Sequence, residues 1–296
     1  MHKAGYVNIV GYPNVGKSTL MNALLGDRLS IMTSKPQTTR HRILGIYNDD
    51  EYQIVFSDTP GIIDDPAYKM QSAMNQQAMS SLEDADLMIL LTDPYDEYDG
   101  SEPLLQSLQN RDFPLIIAIN KIDISEQERI TDIQAHWESI IQADHIMAIS
   151  ALEKIGVPHL LDRIKTFIPE SPPYFPKDQL SDKNLRFFVS EIIREKILLQ
   201  FKKEVPYSCE VIVEEFKERD DDEQNITKIR AAIYVSRKTQ KSILIGKGGA
   251  AIKKLGIESR KSIEEFLDDN VYLELNVKVK ENWRNDDRHL KHFGYQ

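Results

Sequence analysis

Residues 11–19 read Gly11-Tyr12-Pro13-Asn14-Val15-Gly16-Lys17-Ser18-Thr19 and fit the pattern G-x-x-x-x-G-K-S/T. Tyr6 to Val10, just before them, form a short apolar, β-branched run of the kind that makes a buried strand. Leu20 to Leu25, just after, are strong helix formers, and Gly26 is a natural helix stop. Strand, glycine loop and helix in that order are the context the pattern needs. Gly11 and Gly16 let the backbone turn its N–H groups inward toward a phosphate, and the helix N-terminus adds partial positive charge. Lys17 then reaches the β/γ-phosphates, and the Ser18 hydroxyl is a ligand for Mg²⁺. The stretch predicts a nucleotide site.

Three further segments extend that site along the chain. The polar loop from Asp27 to Ile43 holds Lys35-Pro36-Gln37-Thr38-Thr39-Arg40. In phosphate-loop enzymes a threonine here closes over the γ-phosphate and completes the Mg²⁺ shell. Thr39 is taken for that role, with the choice between Thr38 and Thr39 left open. Ile43–Asn48 and Tyr52–Ser57 read as two strands, and at the tip of the second stand Asp58-Thr59-Pro60-Gly61. Asp58 is placed to hold a Mg²⁺-bound water, and the Gly61 N–H to reach the γ-phosphate. Lys17, Thr39 and Gly61 are therefore the expected catalytic groups. Ile62 and Ile63 follow where many such enzymes carry a glutamine that orients water, so hydrolysis is expected to be slow.

Leu87–Thr92 and Leu115–Ile119 are the next buried strands, and the second ends in Asn120-Lys121-Ile122-Asp123. Guanine presents N1–H and N2–H₂ along one edge, which a carboxylate accepts in bidentate fashion, whereas adenine has no such edge. Asp123 thus selects guanine, the Lys121 stem covers the ring, and Asn120 bonds either the base or the loop. His145–Ile149 is a sixth strand. Its tip, Ser150-Ala151-Leu152, is placed to present backbone N–H groups to the guanine carbonyl. Leu160–Ile168 closes the domain as an amphipathic helix. Parallel strands alternating with helices predict a doubly wound, mostly parallel α/β sheet over residues 1–170, with ligands at the carboxyl ends of the strands.

Composition then shifts. Pro169 to Pro176 contains four prolines in eight residues, and 171–183 is read as a stiff linker. Residues 184–280 begin with a helix, Leu185–Phe201, followed by two strands, Ser208–Phe216 and Thr227–Val235. Between the strands lies an acidic hairpin tip, Glu218 to Glu223. Next comes Gly246-Lys247-Gly248-Gly249, a loop between two helices whose backbone can press against nucleic-acid phosphates. Residues 237–261 hold Arg237, Lys238, Lys241, Lys247, Lys253, Lys254, Arg260 and Lys261 against Glu258 alone. That local basic face stands out in a chain of net charge −10. Gly246, Lys247, Gly248, Gly249, Lys241, Lys253 and Lys254 are the expected RNA contacts. The order helix, strand, strand, helix, G-x-x-G, helix, strand (Val271–Val279) matches the bacterial, type II K-homology fold of α+β class. In the tail, 281–296, Trp283 is expected to pack against the domain.

With 296 residues, two domains can each build a core. The longest apolar run, near Leu87–Leu91, is too short to span a bilayer. The N-terminus leads straight into the first strand, so no signal peptide is expected. The single cysteine, Cys209, is expected to be a small buried hydrophobe in a reducing cytoplasm.

Taken together, GYPNVGKST, QTTR, DTPG and NKID followed by IGKGGAAIK and LELNVKVK resemble the Era family of bacterial GTPases over essentially the whole chain. The resemblance implies a phosphate-loop GTPase domain ahead of a K-homology domain. It also implies GTP/GDP and Mg²⁺ as ligands and hydrolysis coupled to maturation of the small (30S) ribosomal subunit. The K-homology domain would grip the 3′ end of 16S rRNA. Family members also associate peripherally with the cytoplasmic membrane, although this sequence has no amphipathic anchor or lipidation motif. A monomer is expected. Some related GTPases with an asparagine at the place of Asn14 hold K⁺ there, which makes Asn14 the candidate ligand for that ion.

Overall fold

The structure, a computed structural model, describes residues 2–63, 65–81, 85–96, 98–219 and 226–295. The chain forms two compact units, one of Met1–Pro66 with Gln71–Asp182 and one of Ala67–Met70 with Lys183–Gln296.

The first unit contains β1 (Lys3–Val10), α1 (Lys17–Leu25), β2 (Ile43–Asn48), β3 (Tyr52–Asp58), α2 (Lys69–Ser80, which crosses the boundary), β4 (Leu87–Thr92) and α3 (Pro103–Gln109). It continues with β5 (Leu115–Ile119), α4 (Gln127–Ile140), β6 (His145–Ala148) and α5 (Val157–Phe167). The strands lie in the order β2-β3-β1-β4-β5-β6. All neighbours run parallel except β2 and β3, which the short Asn48–Tyr52 turn makes antiparallel. Every residue of β4 and β5 is buried, as expected of parallel strands covered by helices on both faces. Helix α1 ends where Gly26 takes a left-handed φ of 77° and its N–H closes on Asn22 O. Helix α5 starts at Val157, three residues earlier than the apolar pattern suggests, behind Gly156 at φ 74°. Helices α2 and α4 carry only a weak apolar pattern in the sequence. In α4 only Ile130, Ile133 and Trp137 are buried, a narrow stripe among polar residues.

Residues up to Asp182 belong to this unit rather than hanging free. Gln53 of β3 is fully buried; its Oε1 accepts from the Tyr174 and Phe175 N–H groups at 2.6 and 2.9 Å, and its Nε2 donates to Phe175 O at 2.8 Å. Ile46 N–H donates to Leu180 O at 2.9 Å, and Ser181 Oγ donates to Leu44 O at 2.6 Å. Leu180 and Ser181, just past the proline-rich stretch, thus cover the open edge of β2, and the stretch itself is strapped down on Gln53 of β3.

The second unit contains α6 (Leu185–Gln200), β7 (Cys209–Lys217), β8 (Thr227–Val235), α7 (Lys238–Ile245), α8 (Ala250–Leu267), β9 (Val271–Val279) and α9 (Asp287–His292). Its sheet runs β7-β8-β9, antiparallel between β7 and β8 and parallel between β8 and β9. One core joins Val189, Ile193 and Ile197 of α6 to Val211, Ile233, Leu244 and Ile263. Cys209 is buried in it. The tail is part of the same body: Trp283 is buried, its Nε1 donates to Ser208 O at 3.0 Å, and Phe293 meets it edge-on at 5.2 Å. The acidic hairpin tip runs into residues 220–225, which lie outside the described residues. Among the described residues no helix is long and apolar enough to cross a membrane.

Candidate nucleotide site and nucleic-acid interface

Strand β1 delivers the phosphate loop at its carboxyl end, and α1 begins at Lys17. Lys17 is buried under the loop, where its Nζ donates to Gly11 O at 2.9 Å and Tyr12 O at 2.8 Å. Burial, opposed by the charge of Asp58, lowers the Lys17 pKa to about 8. A phosphate would restore the balance, so the ammonium is held ready for an anion. Gly16 has φ 103°, and a Cβ there would lie 2.4 Å from Asn120 Nδ2, so the loop needs glycine. Asn14, at φ 69°, is exposed, and Tyr12 and Val15 are buried behind the loop.

Ser18, Thr39 and Asp58 come together from three distant segments. Ser18 Oγ lies 2.7 Å from both Thr39 Oγ1 and Asp58 Oδ2, and Thr39 Oγ1 lies 3.3 Å from Asp58 Oδ2. Thr38 points elsewhere, bonding Thr33 Oγ1 and Lys35 O, both at 2.6 Å. The geometry therefore selects Thr39. Burial pushes the Asp58 carboxyl above its usual range, against the Ser18 hydrogen bond and the Lys17 charge. Asp58 Oδ1 is buried and makes no hydrogen bond among the described residues. Two hydroxyls and one buried carboxylate form an all-oxygen set that fits Mg²⁺, which takes few protein ligands and completes its shell with phosphate and water.

The backbone at Gly61 runs against the phosphate loop: a Cβ there would lie 2.9 Å from Pro13 Cα and N. Thr59 Oγ1 donates to Ile9 O at 3.1 Å, Pro60 is buried, and Ile62 is only 9% exposed. Asn75 of α2 holds this turn in a double hydrogen bond, accepting from Ile63 N–H at 2.9 Å and donating to Ile63 O at 2.7 Å. Asn22 does the same for the start of the Asp27–Ile43 loop, accepting from Leu29 and Ser30 N–H groups at 3.0 and 2.9 Å. Neither asparagine has a sequence signature. Arg40 is fully buried and Arg42 Nε donates to Ser57 Oγ at 2.8 Å, so neither lines the pocket.

At the guanine end Asn120 is a tie between loops. Its Nδ2 donates to Val15 O and its Oδ1 accepts from Ala151 N–H, both at 2.8 Å. Asn120 makes the loop contact, and it also stands in the pocket lining. The same contacts correct the expectation for Ser150 and Ala151: the Ser150 N–H donates to Ile155 O at 2.9 Å, and the Ala151 N–H is taken by Asn120. Leu152 does line the pocket. Lys121 pairs with Asp93 at 2.9 Å, and its φ of 65° starts the short turn Ile122–Ile124 that carries an exposed Asp123.

All these boxes converge on one pocket of about 570 Å³, lined by Lys17, Ser18, Thr39, Gly61, Lys121 and Asp123 among others. That is the size of an ordinary small-molecule site. Gly11, Tyr12, Val15, Asp58, Pro60, Ile62, Ile122, Ser150 and Ala151 stand behind its lining.

In the second unit, α7 ends at Gly246 and α8 starts after Gly249, with Gly246, Gly248 and Gly249 all at positive φ. Lys247, Gly248, Lys253 and Lys254 are exposed, and Lys241 is half-buried. The α8 N-terminus adds its partial positive charge to this basic loop, a surface suited to a phosphate backbone.

Two family models match the chain, one described as a 50S ribosome-binding GTPase over residues 6–121 and one as a KH domain over residues 204–284. GTPase Era of Geotalea uraniireducens (strain Rf4) is 44% identical over 299 residues, 99% of this chain and 98% of that one. A variant of Aquifex aeolicus Era bound to GDP·AlF₄⁻ matches at TM-score 0.90 and 38% identity, covering 99% of both chains. Era in complex with MgGDPNP and nucleotides 1506–1542 of 16S ribosomal RNA matches at TM-score 0.91 and 38% identity, covering 100% of this chain and 99% of that one.

Proposed function

The chain belongs to the Era family of GTPases, and from that premise we propose that its GTP hydrolysis is a timing switch in small ribosomal subunit assembly and rRNA processing, worked while the second domain grips the 3′ end of 16S rRNA. The observation that carries this reading is the convergence of the phosphate, magnesium and guanine boxes on one pocket, in a chain that also carries an exposed basic G-x-x-G loop. The large-subunit description belongs to a family model that stops at residue 121, whereas the full-length relative is an Era GTPase.

In the site, the phosphate-loop N–H groups and Lys17 would hold the β/γ-phosphates, Ser18 and Thr39 would hold Mg²⁺, and Asp58 would hold a Mg²⁺-bound water. Bound there, Mg²⁺ would neutralise the charge that develops on the phosphate oxygens. The Gly61 N–H orients the γ-phosphate, while the apolar, buried Ile62 offers water no hydrogen bond. Intrinsic turnover is therefore slow, as suits a switch timed by assembly. Asn14, exposed and part of the pocket wall, contributes an amide carbonyl of the type that replaces the hydration shell of K⁺. A K⁺ held there would add positive charge beside the phosphates. The parent should turn over faster in K⁺ than in Na⁺ at equal ionic strength, by roughly an order of magnitude. Asn14→Ala should remove that difference. Equal rates in the two salts, or a full K⁺ response in Asn14→Ala, would exclude the ion from this site.

We place the protein in the cytoplasm as a monomer, with a peripheral contact to the inner face of the membrane. Crosslinking in cells followed by sequencing of the bound RNA tests the functional reading. Reads should concentrate at the 3′ end of 16S rRNA, and reads concentrated on 23S rRNA or tRNA would overturn it.

A further inference from the structure

The segment between β4 and α3 has no nucleotide motif, yet it touches two of the boxes. Tyr12, the second residue of the phosphate loop, stacks on Tyr98 with ring centroids 4.4 Å apart and planes at 19°. Tyr98 in turn tilts against Trp137 of α4 at 6.3 Å, and Trp137 is 1% exposed. His136 Nε2 donates to the Tyr98 carbonyl at 2.8 Å, and Arg129 Nε donates to the Pro94 carbonyl at 2.6 Å. At the start of the segment Asp93 Oδ2 accepts from Lys121 Nζ at 2.9 Å. Helix α4 therefore fixes the segment from one side, and the segment bears on the phosphate loop and the guanine box.

Tyr12 is where such a contact matters. Its carbonyl accepts from Lys17 Nζ, and the peptides immediately after it are those that form the phosphate cradle. If the Tyr12 backbone rotated, it would release Lys17 and let those N–H groups swing. A large flat ring stacked on Tyr12, itself backed by a fully buried Trp137, removes that freedom. Tyr98 is not part of the pocket lining, so it acts through Tyr12.

We propose that Tyr98 is a positioning residue for the nucleotide: by stacking on Tyr12 it holds the phosphate loop in its anion-binding shape before the ligand arrives. Preorganisation of this kind acts on affinity and residence time. The proposal rests on the reading that guanine nucleotides occupy this pocket. Saturable binding of N-methylanthraniloyl-GDP by the parent chain tests that reading alone, and the ratio of variant to parent dissociation rates tests the brace alone.

Stopped-flow dissociation of N-methylanthraniloyl-GDP from the full chain gives the measurement, with Tyr98→Leu, Tyr98→Phe, Tyr12→Leu and the double Tyr12→Leu/Tyr98→Leu. Leucine keeps apolar volume and so keeps the fold, but it lacks the flat face; phenylalanine keeps the face. Tyr98→Leu should speed dissociation about three- to tenfold, the worth of one aromatic stack, and raise KM with kcat little changed. Tyr98→Phe should behave as the parent. The double variant should be no faster than the faster single variant, since both remove one stack. A parent-like rate in Tyr98→Leu, a fast rate in Tyr98→Phe, or additive effects in the double variant would each overturn the proposal.

Discussion

Replacing Asp123 with asparagine is expected to weaken GTP binding by roughly 3 kcal/mol, about 150-fold, and to confer binding of xanthosine triphosphate. The figure takes two hydrogen bonds to a charged acceptor at about 1.5 kcal/mol each. Asp123 is exposed at the pocket mouth on a three-residue turn, held by the left-handed Lys121 and by Ile122 N–H donating to Ile149 O at 3.2 Å. The turn rests on backbone contacts, so the substitution changes hydrogen-bonding character and leaves the fold alone. An amide facing guanine N1–H and N2–H₂ sets donor against donor on one side. Xanthine has a carbonyl where guanine has its amine, and the amide donates to it. Competition against a fluorescent guanine nucleotide measures both affinities, and a variant that binds the two triphosphates as the parent does would remove Asp123 from base recognition.

Changing Gly246-Lys247-Gly248-Gly249 to Gly-Asp-Asp-Gly should reduce RNA affinity by roughly 1–3 kcal/mol, through lost charge-assisted contacts and new repulsion. The design follows the local geometry. Gly246 stays, because a Cβ there would lie 2.7 Å from Ala251 Cβ. A Cβ added at Gly248, which sits at φ 60° and ψ 22°, would meet no atom within 4 Å, and aspartate tolerates that left-handed conformation better than most residues. The fold should therefore survive while two carboxylates meet the phosphates. GTP binding should be unchanged. Equal loss of GTP and RNA binding would mean misfolding, and loss of neither would take this loop out of the RNA surface.

The sequence is most legible where chemistry and fold impose the same residues. Leu87–Leu91 and Leu115–Ile119 read as buried strands because parallel strands covered on both faces allow nothing polar. Each box can then be placed at a strand tip. The loop Gly246–Gly249 is legible for a related reason, since three positive-φ residues in four positions favour glycine. What the sequence hides is what depends on tertiary partners. Gln53 looks like any polar strand residue, yet it anchors Tyr174 and Phe175 more than a hundred residues away and turns an apparent linker into a strap. Asn22 and Asn75 clamp the two loops around the pocket from helices that carry no pattern for it. The choice of Thr39 over Thr38 turns on which hydroxyl meets Ser18, and adjacent identical residues cannot reveal that. The N–H groups of Ser150 and Ala151 are not free for guanine because the competing acceptors, Ile155 O and Asn120 Oδ1, come from elsewhere in the fold.

One pocket, built by Lys17, Ser18, Thr39, Asp58 and Asp123, hydrolyses GTP in a chain that also grips RNA. Phosphate release from GTP and from ATP, with Mg²⁺, in the presence and absence of RNA carrying the 16S 3′ end, tests it most directly. Slow, Mg²⁺-dependent release from GTP and none from ATP is the expected result. No release from GTP in either condition, with the nucleotide still bound, would contradict it and leave an RNA-binding protein whose nucleotide is only structural.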